Sequence, residues 1–527
     1  MTYELTPNRR SVLAGSLVAA LGAAVLGPRA AADQPTGTHP AGTHLAGTHP
    51  AADAAQGPFR VPDGLIDLAD TNALGLPQAE HAETVTIFAP GEQDLKFNHG
   101  VVLIPFRGRL YAQWQSSERD EDAPETIVTY AVSEDHGQTW GAPIPLTQPQ
   151  EDGYISSGGW WTDGETLVAY LNVWPASLEP RGGYTEYITS TDGVTWSAPQ
   201  PVTDADGNPV EGIIEQDTRA LPSGRLLTAF HVQPGLFVKP YYTDDPLGVT
   251  GWTQGEFENQ PNTPGEMSRE LEPSWYLRPD GAVVMVFRDQ GGNTMLKLGA
   301  VSQDDGETWT DSELTNVPDS RTKQSAGTLP DGTTFQVGNP TGTRNRYPLS
   351  ILLSADGVTF DVGYTLRDTA DLQERRYEGQ YKSSGYSYPK SVLAGDYLYV
   401  AYGTNKEDVE YTRVPVADLS LRGVPDQLAQ PAAWADAGRT LHVAWEPPTS
   451  AGDSPVSGYL VRATSRSGRH VEVRVGANEH RTTITGVHPG RYQVSVVAEN
   501  SYGVGPDSEH SAWVVVTGRP DHAGGHR

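Results

Sequence analysis

The sequence predicts an all-β fold, a six-bladed β-propeller followed by a small β-sandwich. A turn pattern recurs at a regular interval, the text between its copies alternates as strands do, and a second run of strand-like segments follows from about Pro431. The pattern is complete in Ser133-Glu134-Asp135-His136-Gly137-Gln138-Thr139-Trp140 and in Ser302-Gln303-Asp304-Asp305-Gly306-Glu307-Thr308-Trp309. It is one residue shorter in Ser190-Thr191-Asp192-Gly193-Val194-Thr195-Trp196 and in Ser354-Ala355-Asp356-Gly357-Val358-Thr359-Phe360. A worn copy runs from Thr243-Asp244 to Gly251-Trp252. Asp135, Asp192, Asp244, Asp304 and Asp356 are 57, 52, 60 and 52 residues apart. Each copy reads as a tight hairpin: Ser and Asp oxygens cap turn amides, Gly supplies positive φ, and the aromatic residue covers the apolar side. A period of about 55 residues with strand text between turns means blades of four strands.

Taken in order, the chain opens with Asn8-Arg9-Arg10-Ser11-Val12-Leu13, an apolar stretch to Leu26, and Ala30-Ala31-Ala32. This resembles a twin-arginine export signal over 1–32, so the mature protein is expected to be secreted and free of the membrane. The Gly-Thr-His repeats that begin at Gly37, Gly42 and Gly47 read as part of a flexible linker over 33–74 rather than as a metal site. Strands begin near Glu83-Thr84-Val85-Thr86-Ile87-Phe88, and alternating runs such as Leu110-Tyr111-Ala112-Gln113-Trp114 continue to about Val416. The propeller is placed at 75–417; roughly 340 residues at this period give six blades, and a seventh would need a degenerate blade near one end. Over 431–517, Trp445, Tyr459 and Tyr492 sit where a sandwich core needs them, and 518–527 reads as a loose tail. This unit resembles a fibronectin type III module, whose expected role is that of a spacer, with carbohydrate binding as the alternative.

Lys and Arg number 37 against 66 Asp and Glu, a formal charge of −29, which disfavours nucleic acid or an anionic membrane as a general partner. A few converging arginines can still make one basic pocket on such a surface. With no cysteine, disulfides, thiolate metal sites and cysteine catalysis are excluded. No cofactor is expected; the loops Asp120-Glu121-Asp122 and Asp304-Asp305 carry oxygen donors for Ca²⁺ but no spaced ligand set, so the sequence leaves a Ca²⁺ requirement open. A monomer is expected.

The repeated turn resembles the Asp-box of the sialidase superfamily, a likeness specific for fold rather than for reaction. In that family arginines clamp the substrate carboxylate, a tyrosine activated by a glutamate attacks the anomeric carbon, and an aspartate is the acid/base. The segment from Glu272-Pro273-Ser274-Trp275 to Val286-Phe287-Arg288 resembles the family hairpin that carries the glutamate and a clamp arginine. The resemblance thus implies Glu272 as base, Arg288 and Arg346 as clamp, Tyr388 (with Tyr386 as neighbour and alternative) as nucleophile, Arg119 as a supporting arginine and Asp122 as acid/base. One departure stands out. Where the family carries its first clamp arginine, this chain has Lys96-Phe97-Asn98-His99-Gly100, so Asn98 or His99 takes that place.

Three functions follow. The first is a secreted exo-glycosidase cleaving a terminal acidic sugar from a glycan. The second is a uronate-directed polysaccharide lyase or glucuronate-linked glycosidase on the same ring, with His99 as base, a tyrosine as acid and an arginine neutralising the carboxylate. The third is a non-catalytic glycan-binding protein.

Overall fold

The computed structural model describes residues 57–517 apart from 263–264, 422–423, 437, 453–454, 467–468 and 501–502. The expected export signal, the first part of the linker and the tail lie outside the described residues. The linker expectation is corrected at its C-terminal end. Phe59 is wholly buried against Tyr276 and Phe360, and Val61, Leu74 and Leu76 join the same apolar cluster. Apolar side chains in Phe59-Arg60-Val61 therefore dock on the sheets rather than hang in solvent.

The fold is all-β; the four-residue Val416–Leu419 is the only helix among the described residues. No described helix is long and apolar enough to cross a membrane. Six antiparallel sheets follow one another along the chain, innermost strands first: Phe97–Phe106, Tyr154–Thr162, Gly212–Ile214, Glu270–Leu277, Ser325–Thr328 and Tyr386–Ala394. The sixth sheet takes its outer strand from the other end of the domain, where Glu83–Phe88 pairs antiparallel with Asp408–Pro415. The apolar core is divided among the interfaces between successive sheets. Trp160 and Ile155 meet Val102 and Tyr130 between the first two, Tyr386 and Leu398 meet Phe335 and Ile351 between the fifth and sixth, and Tyr399, Ala401 and Tyr411 meet Val101 and Trp114 between the sixth and first.

The repeated turns all fall between the third and fourth strands of a sheet, as at 133–140 between Ile127–Ser133 and Ile144–Pro145. Each is closed locally. Ser133 Oγ donates to Asp135 and accepts from the Gly137 amide, while Asp135 accepts from the Thr139 amide and hydroxyl. The four clearer copies use the same scheme. The worn copy is corrected by one residue: Asp245, not Asp244, accepts from the Leu247, Val249 and Thr250 amides, while Asp244 pairs outward with Arg225. Glycine is required here for two reasons. Gly137 has φ 92, and a Cβ on it would lie 2.5 Å from the Tyr411 Oη that donates to its carbonyl. Gly357 is capped likewise by Tyr276, and Gly248 by Tyr170.

The C-terminal unit is a sandwich. Ala432–Asp436, Thr440–Ala444 and Arg481–Ile484 form one sheet, and Gly458–Ser465, His470–Gly476 and Gly490–Asn500 with two short strands form the other. Its own core holds Trp445, Tyr459 and Tyr492 as expected.

Candidate active site at the inner strands

The innermost strands are interrupted where they approach one another. Register breaks lie between His99 and Val102, Ser157 and Gly159, Leu271 and Ser274, and Ser387 and Lys390. Such bulges leave a residue outside the ladder and turn its side chain off the sheet face. Glu272 (φ 50) and Tyr388 (φ 57) stand at two of them in the left-handed region, and Asp122 in its loop has φ 62. In the first sheet Phe97 pairs with Ser117 and Leu110 with Ser133, so this end of the sheet is opposite the Asp-box turn.

Here lies a cavity of about 420 Å³, lined by His99, Glu121, Asp122, Glu272, Arg288, Lys323 and Tyr388 among others. Tyr388 Oη donates to Glu272 Oε1, and Arg288 holds Glu272 Oε2 at 2.6 Å with its Nη1 3.5 Å from Tyr388 Oη. Burial would raise the Glu272 carboxyl, but Arg288, Lys323 and the tyrosine hydroxyl outweigh it and hold the group at about 2. Burial and the Glu272 charge push the Tyr388 phenol well above its ordinary value, against Arg288 and Arg346. At rest the pair is therefore a neutral phenol bonded to a carboxylate. The cations around the ring would stabilise a phenolate once the proton moves.

Four cations gather here. The Arg346 guanidinium lies 5.4 Å and the Lys323 ammonium 5.7 Å from the Tyr388 ring centre, and Arg346 also donates to Ser387 Oγ at 3.2 Å. Lys406 holds Glu121 at 2.5 Å, and Lys323 holds Glu215 at 2.6 Å, with His231 Nε2 3.3 Å from the same carboxylate. His99 packs on Tyr388 with ring centres 4.2 Å apart. Neither of its ring nitrogens has a hydrogen-bond partner among the described residues, and Glu121 is 3.9 Å from Nε2. Burial, reinforced by Lys406, Arg346 and Lys323, lowers its pKa well below the ordinary range and keeps it uncharged.

Asp122 lines the same cavity. It accepts from Tyr154 Oη at 2.8 Å and pairs with Arg181 at 2.8 Å, beside Trp174 and an apolar wall of Ile213, Leu236 and Met267.

Tyr388, Glu272, Arg288, Arg346 and His99 thus meet at one place, and Asp122 lines the same cavity. Three expected residues do not. Arg119 is 68% exposed and pairs with its neighbour Asp120. Tyr386 is fully buried between sheets and donates to the Asp368 carbonyl. Asn98 is fully buried and structural: its amide donates to the Leu95 and Glu407 carbonyls, and its oxygen accepts from Trp114 and Ser116. Its polar atoms are consumed in tying the first inner strand to its neighbours, leaving none for substrate. In the loops singled out for Ca²⁺, Asp120 accepts from Arg119 and the Gln380 amide, and Asp304 from Thr308. Sequence reasoning missed Lys323, Lys406, Glu121, Glu215, His231, Tyr154, Trp174 and Arg181. For two of them a signal was present, the clustered polar and charged text of Glu215-Gln216-Asp217 just after the strand Gly212–Ile214 and of Lys323-Gln324 just before Ser325–Thr328; the others carry no local mark.

Residues 108–400 match the BNR repeat-like domain family, and residues 430–513 match the fibronectin type III domain. Among solved structures, the Hadza microbial sialidase Hz136 is 14% identical over 64% of this chain and 69% of its own, with a TM-score of 0.50. An α-L-arabinanase of Penicillium chrysogenum is 15% identical over 64% of this chain and 99% of its own, with a TM-score of 0.41. The sialidase of Trypanosoma rangeli is 12% identical over 84% and 91%, with a TM-score of 0.46. The likeness to the first is one of fold, that of a sialidase-like β-propeller.

Proposed function

The chain belongs to the BNR repeat-like domain family, and from that premise we propose that it is an exported glycosidase that removes a terminal acidic sugar from a glycan. The observation that carries this reading is the Tyr388–Glu272–Arg288 contact on the cavity wall. The scaffold is read as a closed six-bladed ring. Support comes from the six sheets, from the pairing of Glu83–Phe88 with Asp408–Pro415, and from Tyr411 of the sixth sheet capping the Asp-box turn of the first.

In this mechanism the sugar carboxylate sits against Arg288 and Arg346, with Lys323 standing in for the absent first arginine. Glu272 takes the phenol proton as Tyr388 Oη bonds to the anomeric carbon, and Asp122 protonates the departing oxygen. Asp122 then draws a proton from water, the water attacks the anomeric carbon, and Tyr388 leaves and recovers its proton from Glu272. Arg288, Arg346, Lys323 and Lys406 face Glu272, Glu215 and Glu121, a local excess of positive charge that suits a monoanion despite the chain's net charge of −29.

One observation favours elimination as a second reading: His99 is neutral, lacks hydrogen-bond partners and lies against Tyr388, as a base and acid for uronate cleavage would. The full-length protein assayed on aryl sialosides, aryl glucuronides and uronate polysaccharides separates the two. Release of the aryl group, abolished by Tyr388→Phe and only reduced by His99→Ala, supports the glycosidase. A new near-ultraviolet absorbance that vanishes in His99→Ala supports elimination. Turnover retained in Tyr388→Phe refutes both.

A further inference from the structure

We infer that Arg181 is the seat of a second anionic group of the substrate, so that the preferred glycan carries two neighbouring acidic sugars; the inference rests on the acid/base role proposed above for Asp122. Arg181 follows the strand Leu167–Trp174, lines the cavity, and has 55% of its side chain exposed against 31% for Asp122. Its guanidinium covers the Trp174 ring at 4.7 Å, bonds Asp122 Oδ2 at 2.8 Å, and donates to Tyr154 Oη. Tyr154 in turn donates to Asp122 Oδ1 at 2.8 Å. Each oxygen of Asp122 thus accepts from one of these two partners, and while both stay in place neither oxygen is turned to a leaving group.

One of these partners must give way before Asp122 can act. Tyr154 is 7% exposed and stacks on Trp174 at 5.8 Å with an interplanar angle of 11°, so it is fixed. Arg181 is long, half in solvent, and not needed to complete that stack; it is the partner free to swing. A general acid must reach the glycosidic oxygen, and a side chain bonded to that acid therefore lies within reach of the sugar on the leaving side. A carboxylate or sulfate on that sugar offers the guanidinium a bidentate partner in exchange for Asp122. Once Arg181 has turned to it, Asp122 takes a proton from water and passes it to the glycosidic oxygen as that C–O bond breaks. The anomeric carbon bonds to Tyr388 Oη in the same step. A neutral leaving sugar gives Arg181 no second partner, and the acid stays capped.

The probes are matched pairs: α2,8-disialic acid against sialyllactose, and digalacturonate with its second carboxyl free against the same dimer methyl-esterified there. Binding is measured by calorimetry on full-length Tyr388→Phe, with and without Arg181→Gln. The doubly anionic member of the accepted pair is expected to bind on the order of tenfold more tightly than its partner, with Arg181→Gln bringing the ratio near one. With Tyr388 intact, kcat for the doubly charged member should exceed that for its partner, and Arg181→Gln should erase the difference. Equal affinities, or an Arg181→Gln change that weakens both members alike, overturns the inference and leaves Arg181 a prop for Asp122 and Trp174. Equal kcat values overturn the release of Asp122. If no member of either pair binds and Arg288→Ala changes nothing, the acidic-sugar reading itself has failed, which is a distinct result.

Discussion

Glu272→Gln removes the charge on which the centre of the site is built, and its consequence for stability has a pH signature. The carboxylate is buried, holds Arg288 at 2.6 Å and accepts from Tyr388, and these partners bring its pKa to about 2 from an ordinary value of 4.5. That difference corresponds to about 3 kcal/mol of folding free energy. Because the folded value is depressed, the contribution is complete above the unfolded value near 4.5 and is lost as pH falls towards 2. By pH 3, about 2 kcal/mol of it is gone. The uncharged amide contributes none of this at any pH, and it leaves Arg288 buried without a counter-charge, a loss of about 3–5 kcal/mol. Urea midpoints of wild type and variant, compared from pH 6 to pH 3, should therefore differ most at pH 6 and converge on acidification. A gap that stays constant with pH would show that Glu272 is not held ionised by these neighbours. The base role proposed for it would then lose its electrostatic ground.

Three further outcomes follow from the arrangement. Asn98→Ala strips four hydrogen bonds from a fully buried site and should cost about 2–4 kcal/mol, read as a lowered melting midpoint; an unchanged midpoint with lost turnover would restore Asn98 to substrate binding. Arg119→Ala breaks only an exposed pair and should leave both the melting midpoint and turnover essentially unchanged, so any large loss of activity contradicts its placement outside the site. Deleting 431–527 should leave turnover on a small soluble substrate nearly intact, since the sandwich has its own core; a folded but inactive truncation would assign part of the site to that unit.

The repeat was legible because its chemistry is local. Ser133, Asp135, Gly137 and Thr139 satisfy one another within seven residues, so the turn is written in one stretch of sequence. Even there the worn copy is ambiguous by one position at Asp244, because two aspartates stand side by side and only the amide bonds tell which one caps the turn. Glu272 and Arg288 were legible for the same reason: one hairpin carries both. Lys323, Lys406, Glu121 and Arg181 were not, since each comes from a different stretch of chain and acquires meaning only when the sheets bring them to one cavity. Asn98 misled because the residue next to His99 in a strand points to the opposite face, here into the packing between sheets. Tyr386 misled because the register break between Ser387 and Lys390 takes Tyr388 off the face that two residues of spacing would share.

The backbone itself sets the cavity residues apart from the turn-makers. Left-handed residues such as His136 and Asp305 lie in hairpins, where the chain must reverse and the conformation is ordinary. Glu272 and Tyr388 lie inside strands, Glu270–Leu277 and Tyr386–Ala394, at register breaks where the chain does not reverse and a residue other than glycine holds a positive φ. Such a residue costs about 1–3 kcal/mol and persists only where its surroundings fix it. Here the fixing is reciprocal: the two strained residues bond to each other, and Arg288 bonds to Glu272 and approaches Tyr388. Relaxing either strand to regular pairing would turn its side chain away and separate the phenol from the carboxylate. The strain is thus the means by which two sheets bring a phenol and a carboxylate together, and a sequence carries no local sign of it because neither residue is a glycine.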